Sequence, residues 1–373
     1  MAQPENIDSP NPKNPLPTRF GNLGNLKAVA KRKKLKRLLR KSGFRKRSGH
    51  TLDSVLEAIT LATCTGAQGT LAATDHSRDI AIACKASKAT LNRAYGYATD
   101  ENVRRAMGSL LPGFRKRKGS VWIIDGTFIH VHGDGFELAK YGYDSSEGKT
   151  NPGYLLLNVF DMASKKPVYW LLLPGNTSEI KLFPRVLVEA MKASGEKPGI
   201  VVFDRGYLSK ENLLFFKEQG IRWVTQAEAN MKVSSSNRHI TPRDWFEYYE
   251  TGKSREVYWK GYGALLMAKD EEIRDGKLLS WRVLLGSPNL APGQIISLYN
   301  KRWAIEEYHK QLRALGLNVL PTGRFNGLKL HVLLVVLAYL LLHAVERVLH
   351  CIGKSVVTIM RAVCVAGLIA GPW

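Results

Sequence analysis

At Ser120 the spacing of apolar residues changes from a helical period to short unbroken runs. Runs of that kind are what a strand buried on both faces requires. Two of them end in an aspartate, Val121-Trp-Ile-Ile-Asp125 and Ile200-Val-Val-Phe-Asp204. Between them, Tyr154–Phe160 and Pro167–Leu173 read as two strands joined by a turn around Ser164–Lys166, followed by a helix at about 179–193. A helix at about 209–218 and a strand at Ile221–Thr225 follow the second aspartate. Three strands, a helix, a strand, a helix and a strand are the order of an RNase H-like α/β core.

The rest of the chain is arranged around that core. Residues 1–26 carry Pro, Asn and Gly with little periodicity and read as a flexible tail. Residues 27–118 read as a basic helical DNA-binding region. It holds the run Lys31–Lys41, with Leu35, Leu38 and Leu39 at helical spacing, and the segment Lys88–Tyr95 as a candidate recognition helix. The core occupies 119–227. Residues 228–290 form a β-rich insertion, with strands at Arg255–Tyr258, Ala264–Ala268 and Leu278–Leu285. Residues 291–350 complete the core with one helix at about 292–315 and an apolar helix at about 328–350. Residues 351–373 are a C-terminal segment that mediates a subunit contact or closes the fold.

Charge narrows the function. Lys and Arg number 55 against 32 Asp and Glu, a formal net charge of +23 over 373 residues. Such a balance fits a polyanion, because each neutralised phosphate releases condensed counterions. Nucleic acid is favoured over a ribosomal or anionic-membrane surface. Cys64, Cys84, Cys351 and Cys364 form no Cys-x2-Cys pair, which argues against zinc and suits a reducing cytosol. The N-terminus lacks an apolar signal core, and Val332–Leu342 is about half of a membrane span. The expected partner is therefore DNA, with no membrane.

Carboxylates at the ends of neighbouring central strands can converge, and a divalent cation relieves their repulsion. Two such ions can activate the attacking oxygen and stabilise the leaving oxygen of a phosphodiester. Asp also caps turns and helices, and Asp204-Arg-Gly-Tyr reads equally as a strand-to-helix turn. The third element is Tyr299-Asn-Lys-Arg302-Trp-Ala-Ile-Glu306-Glu-Tyr-His-Lys310-Gln-Leu-Arg313. On one continuous helix Tyr299, Arg302, Glu306, Lys310 and Arg313 share an arc of about 80°, with Leu298, Ile305 and Leu312 on a separate stripe. A carboxylate flanked by three cations and a phenol suits a metal ligand among phosphate binders. A solvated charged face gives the same pattern.

The pattern Tyr-x2-Arg-x3-Glu-x3-Lys resembles the signature of DDE transposases of bacterial insertion sequences, of the type that cuts and pastes DNA through hairpin ends. The resemblance covers roughly 120–345 and includes Ile123-Ile-Asp125-Gly-Thr127, Leu173-Pro-Gly-Asn-Thr-Ser178 and Val202-Phe-Asp204-Arg-Gly206. The signature carries a further Lys where this chain has Arg313, which keeps charge but not geometry. The resemblance implies that Asp125, Asp204 and Glu306 are catalytic and bind two Mg²⁺, with Mn²⁺ as a substitute. It implies nicking at an element's end, a hairpin, and strand transfer into target DNA by a homodimer. It places Tyr299, Arg302 and Lys310 on phosphates near the terminal nucleotide, with Arg313 as a further contact.

Other contacts follow by analogy of chemistry. Lys33, Lys34 and Arg37 of the basic run are candidate DNA contacts. A hairpin bend is relieved by an extruded base on an aromatic platform. Trp259 or Trp245 supplies it, or they and Phe246, Tyr258 and Tyr262 fill the insertion's core. Asn176, Thr177 and Ser178 orient Asp204 or a strand end, or are turn chemistry. The rival readings are an RNase H-like nuclease or resolvase and a non-catalytic DNA-binding derivative. The expected location is the bacterial cytoplasm, at the nucleoid.

Overall fold

The computed structural model describes residues 23–45, 51–64, 87–110, 119–144, 147–235, 238–248, 254–275 and 277–348. The chain divides into two compact units. One comprises 1–106, 135–137 and 311–373; the other comprises 107–134 and 138–310.

The second unit is built on one sheet that holds eleven strands among the described residues. Strand β1 (Val121–His130) is the middle one of the five strands that make the core part of this sheet. It pairs antiparallel with β3 (Lys149–Asp161), from Trp122 opposite Asp161 to His130 opposite Gly153. On its other side it pairs parallel with β5 (Ile200–Phe203). Strand β4 (Lys166–Pro174) is antiparallel to β3, and β6 (Arg222–Gln226) is parallel to β5. The order β4-β3-β1-β5-β6 is that of the expected RNase H-like core. Its central strands are buried on both faces, which explains their unbroken apolar runs.

Helix α6 (Glu179–Ser194) packs on β4 and β3 and ends at Gly195 in the left-handed conformation. After Asp204 a single 3₁₀ turn (Arg205–Tyr207) leads to α7 (Lys210–Gln219). Ser209 caps α7, its Oγ accepting from the Asn212 N–H. Phe183, Phe203, Phe216, Trp122 and Trp223 fill the core between these helices and the sheet. Full burial of side chains this large contributes roughly 1.5–3 kcal/mol each.

Residues 228–290 hold β7 (Val233–Ser235), β8 (Arg238–Ile240), α8 (Pro242–Tyr248), β9 (Ser254–Trp259), β10 (Gly263–Arg274) and β11 (Lys277–Gly286). These strands continue the core sheet: β11 pairs with β6 at Leu284–Gly286. Strands β7 and β8 and helix α8 were not legible in the sequence, and neither was β2 (Lys140–Asp144), which pairs with the start of β3.

The single helix expected at 292–315 is two helices, α9 (Pro292–Asn300) and α10 (Trp303–Ala314). The chain tightens at the junction, where the Arg302 N–H donates to the Tyr299 carbonyl instead of that of Leu298, one residue further back. Tyr299 and Glu306 therefore sit on different helices, with Arg302 between them. Tyr299 is buried rather than part of a charged face.

In the first unit, α1 (Leu23–Arg32) already begins within the expected tail, so residues 23–26 are helical; residues 1–22 lie outside the described residues. The basic run splits into α1 and α2 (Leu35–Lys41) at Lys34, which has a positive φ of 56°. The expected helical stretch 52–110 contains α3 (Leu52–Thr63), α4 (Lys88–Tyr95) and α5 (Asp100–Leu110). The breaks at Gly66 and Gly69 and the segment 351–373 lie outside the described residues. Helix α11 (Phe325–Val348) corresponds to the apolar helix expected at about 328–350 and extends well beyond the run Val332–Leu342. Its part Phe325–Ala344 is long and apolar enough to cross a membrane, yet 78% of that window is buried within the chain. It packs against α1, α3 and α4, and burial pushes His331 on it down to about 4, so that imidazole is neutral.

Candidate active site

The two aspartates stand on adjacent strands of the sheet. Asp125 lies within β1, and Asp204 follows β5 directly, one residue past the Ile124–Phe203 pairing. Glu306 comes from the first turn of α10. Arg302 joins two of the three: its Nη1 is 3.8 Å from Asp125 Oδ2 and its Nη2 is 2.5 Å from Glu306 Oε1. Tyr299 reaches the third, donating from Oη to Asp204 Oδ1 at 3.3 Å, with Gln226 Oε1 at 3.1 Å from the same hydroxyl. Three acids from separate elements thus meet around one guanidinium and one phenol.

The electrostatics are those of a crowded acid site. Burial pushes the Asp125 carboxyl up to about 7, and the nearby Glu179 and Asp204 push the same way, against Arg302. Burial works against the Arg302 charge, but Tyr299, Asp125, Glu306 and Asp204 together hold it above its ordinary range. Tyr299 is pushed up to about 12 by burial and by Asp204, so its hydroxyl keeps its proton and can donate.

The structure adds two residues that sequence reasoning missed. Glu179, the first residue of α6, lies against Gly126: a Cβ built on that glycine would fall 2.4 Å from Glu179 Oε2. Tyr207 donates from Oη to the same carboxylate oxygen. Burial raises the Glu179 carboxyl, and burial with Glu179, Asp125 and Asp204 raises the Tyr207 phenol. Glu179 directly follows the Leu173–Ser178 motif, but an acid in a first helical turn is ordinarily read as complementing the helix dipole.

The remaining expected residues are placed as follows. Lys310 is exposed, with Nζ 4.3 Å from the centroid of the exposed Trp303 ring. Arg313 is half-buried in the last turn of α10. Lys33, Lys34 and Arg37 are exposed, while Arg40 and Lys36 of the same run pair with Asp53 and Glu57. Trp259 is half-buried, with Lys210 Nζ 5.4 Å from its ring centroid. Trp245 is 1% exposed and fills the core, so it has no face to offer a base. Phe246 stacks on Trp281, and Tyr262 accepts from the Trp223 indole. Thr177 bonds back to the Pro174 carbonyl, which is turn chemistry. Asp204 serves both readings, since its Oδ1 also accepts from the Arg205 N–H and caps the 3₁₀ turn.

As they stand, no group of three His, Cys, Asp or Glu side chains among the described residues is arranged to hold a metal ion. The donors nonetheless fit a hard divalent cation. All are carboxylate oxygens, and Asp125 is raised by burial and by neighbouring acids, the condition a cation relieves.

Residues 116–341 match the family model described as the transposase DDE domain. Among solved structures, the chain is similar to the piggyBac transposase synaptic complex with hairpin DNA, at 13% identity over 94% of this chain and 78% of that one, with a TM-score of 0.47. It is also similar to the Drosophila P element transposase strand transfer complex, at 16% identity over 60% of this chain and 55% of that one, with a TM-score of 0.29. It thus spans about half the length of the P element protein. No curated protein matches.

Proposed function

The chain belongs to the transposase DDE domain family, and from that premise we propose that it cleaves DNA at the ends of a mobile element and joins them to target DNA. The observation that carries this reading is the convergence of Asp125, Asp204 and Glu306, from two strands and a helix, on Arg302 and Tyr299. Asp125, Asp204 and Glu306 would hold the divalent ions, Mg²⁺ or Mn²⁺. A bound cation pair would make a water or a 3′-OH a stronger nucleophile and stabilise the oxygen that leaves.

The chain's own residues do the positioning. Tyr299 fixes one oxygen of Asp204 and leaves the other available. Arg302, beside Asp125 and Glu306, would bind a phosphate of the strand bidentately. Lys310 and Arg313 extend the cationic track along the strand end, and Trp259 would accept an extruded base. Lys33, Lys34 and Arg37 would hold the phosphates of the element's terminal repeat. Hairpin closure, assembly of a dimer on paired ends, and an origin in a bacterial insertion sequence complete the proposal, with the nucleoid as its site of action.

The test is cleavage of DNA carrying the sequences that flank the gene, with Mg²⁺ or EDTA. Wild type should nick, close hairpins and transfer strands; Asp125→Ala, Asp204→Ala and Glu306→Ala should each lose all three activities. Cleavage that survives in all three variants would remove these residues from the mechanism. Nicking without joined product would make the chain a nuclease.

A further inference from the structure

We propose that Asn158 and His309 form a positioning bracket that sets where Glu306 stands relative to Asp125. Asn158 lies in the middle of β3, fully buried, in a run from Tyr154 to Phe160 that is otherwise apolar. It is the cross-strand partner of Asp125 in the antiparallel ladder, so the two side chains stand on the same face of the sheet. His309, also buried, lies on α10 three residues beyond Glu306, on the neighbouring part of the same helical face. Asn158 Nδ2 and His309 Nε2 are 3.0 Å apart. This contact links the strand that carries one proposed metal ligand, through its immediate neighbour, to the helix that carries another.

The orientation of the amide is forced. Asn158 Nδ2 also donates to the Leu156 carbonyl at 3.2 Å, and a flipped amide would set oxygen against oxygen there. Both amide hydrogens are therefore used, His309 Nε2 is the acceptor, and Asn158 Oδ1 is buried with no hydrogen-bond partner. An orphaned buried acceptor is a poor source of stability, and an apolar pair in the same space would suit this core better. What a polar contact adds is register. Elsewhere α10 meets the sheet through rings, Tyr308 on Phe160 at 5.0 Å, a contact that tolerates sliding. A hydrogen bond does not, and a displacement of about 1 Å at a reacting centre costs on the order of 100-fold in rate.

The inference rests on Asp125 and Glu306 being metal ligands, so the experiment separates the two claims. Mn²⁺ binding to the full-length protein is measured by calorimetry, beside nicking rate and thermal unfolding, for wild type, Asp125→Asn, His309→Leu, His309→Gln and Asn158→Ala. If Asp125→Asn binds Mn²⁺ as wild type does, the reading of the active site fails, and the bracket with it. If the ligand role holds, His309→Leu should weaken Mn²⁺ about 10- to 100-fold, the effect of losing a partner outside the ligand shell, and slow nicking comparably, in a protein that still unfolds cooperatively but at a somewhat lower temperature because the buried Asn158 N–H has lost its acceptor. His309→Gln, which keeps an acceptor, should recover part of both. Asn158→Ala should repeat the metal defect if either histidine variant fails to fold. Wild-type Mn²⁺ affinity in folded His309→Leu or in Asn158→Ala, or no advantage of His309→Gln over His309→Leu, would overturn the bracket.

Discussion

Replacing Asp125 by Asn should stabilise the metal-free protein, and should do so more at pH 8 than at pH 5. The folded carboxyl is raised from its ordinary 3.8 to about 7, so the folded state binds this proton more tightly than the unfolded state. A raised carboxyl adds stability that is complete below its unfolded value and is lost as pH climbs through its folded value. At pH 8 both states are ionised, and the cost is a shift of about three units at about 1.36 kcal/mol each, or about 4 kcal/mol. At pH 5 only about one unit of it is felt, so the cost falls to about 1.5 kcal/mol. The side chain is 19% exposed, and these figures are therefore ceilings. Asparagine resembles the protonated acid and carries neither cost, while Arg302 keeps Glu306 as a partner. The assay is thermal unfolding of both proteins in EDTA at the two pH values. A gain of about 2–4 °C per kcal/mol is expected for a unit of this size. Mg²⁺ at pH 8 should raise the wild-type midpoint and leave the variant unchanged. Equal gains at both pH values, or a variant less stable at pH 8, would refute the account of Asp125 as a buried charge held for function.

Arg302→Ala removes the cation that holds Asp125 down, so the acidic limb of a nicking pH profile should move to higher pH; an unmoved limb would deny Arg302 that role. Tyr299→Phe loses the hydroxyl that donates to Asp204 and lies 3.1 Å from Gln226 Oε1, and should cost nicking about tenfold or more but stability only about 0.5–1.5 kcal/mol, read by denaturant titration. Gly126→Ala places a Cβ 2.4 Å from Glu179 Oε2 and 3.0 Å from Leu155 Cδ1, so it should displace Glu179 and destabilise by about 1–3 kcal/mol, read by denaturant titration. Gly153→Ala meets the Ile129 carbonyl at 2.3 Å, where backbone must move, and it should reduce soluble expression more than Gly126→Ala does.

Much of the second unit was legible from residue order alone. Unbroken apolar runs at 121–124 and 200–203 announce strands with no solvent face, and the alternation of strands and helices between 121 and 226 dictates the order of the central sheet. The same runs mark Asp125 and Asp204 as strand-end acids, which holds for Asp204 only: β1 continues five residues beyond Asp125 to His130, and it is the parallel pairing of β1 with β5 that sets the two acids side by side. Local chemistry also marks the helix ends, as with Ser209 before α7 and Gly220 after it. The sequence alone thus determined the core, its acids and the basic character of the chain.

Tertiary structure decided the rest, because the forces concerned act between segments far apart in the chain. Nothing in residues 299–306 announces a helix break, since no Gly or Pro lies there; the break coincides with Arg302 meeting Asp125, 177 residues earlier (302 − 125), and turns an expected charged face into a buried Tyr299 on Asp204. Glu179 reads as an ordinary helix-start acid until the bare face of Gly126 lets its carboxylate sit there. Trp245 and Trp259 are the same residue type fourteen positions apart, and only packing made one a core residue and left the other half-exposed. The pairing of Asn158 with His309 belongs to the same class: a buried amide in an apolar strand is visible in the sequence, but its partner is chosen by the docking of a helix 151 residues away.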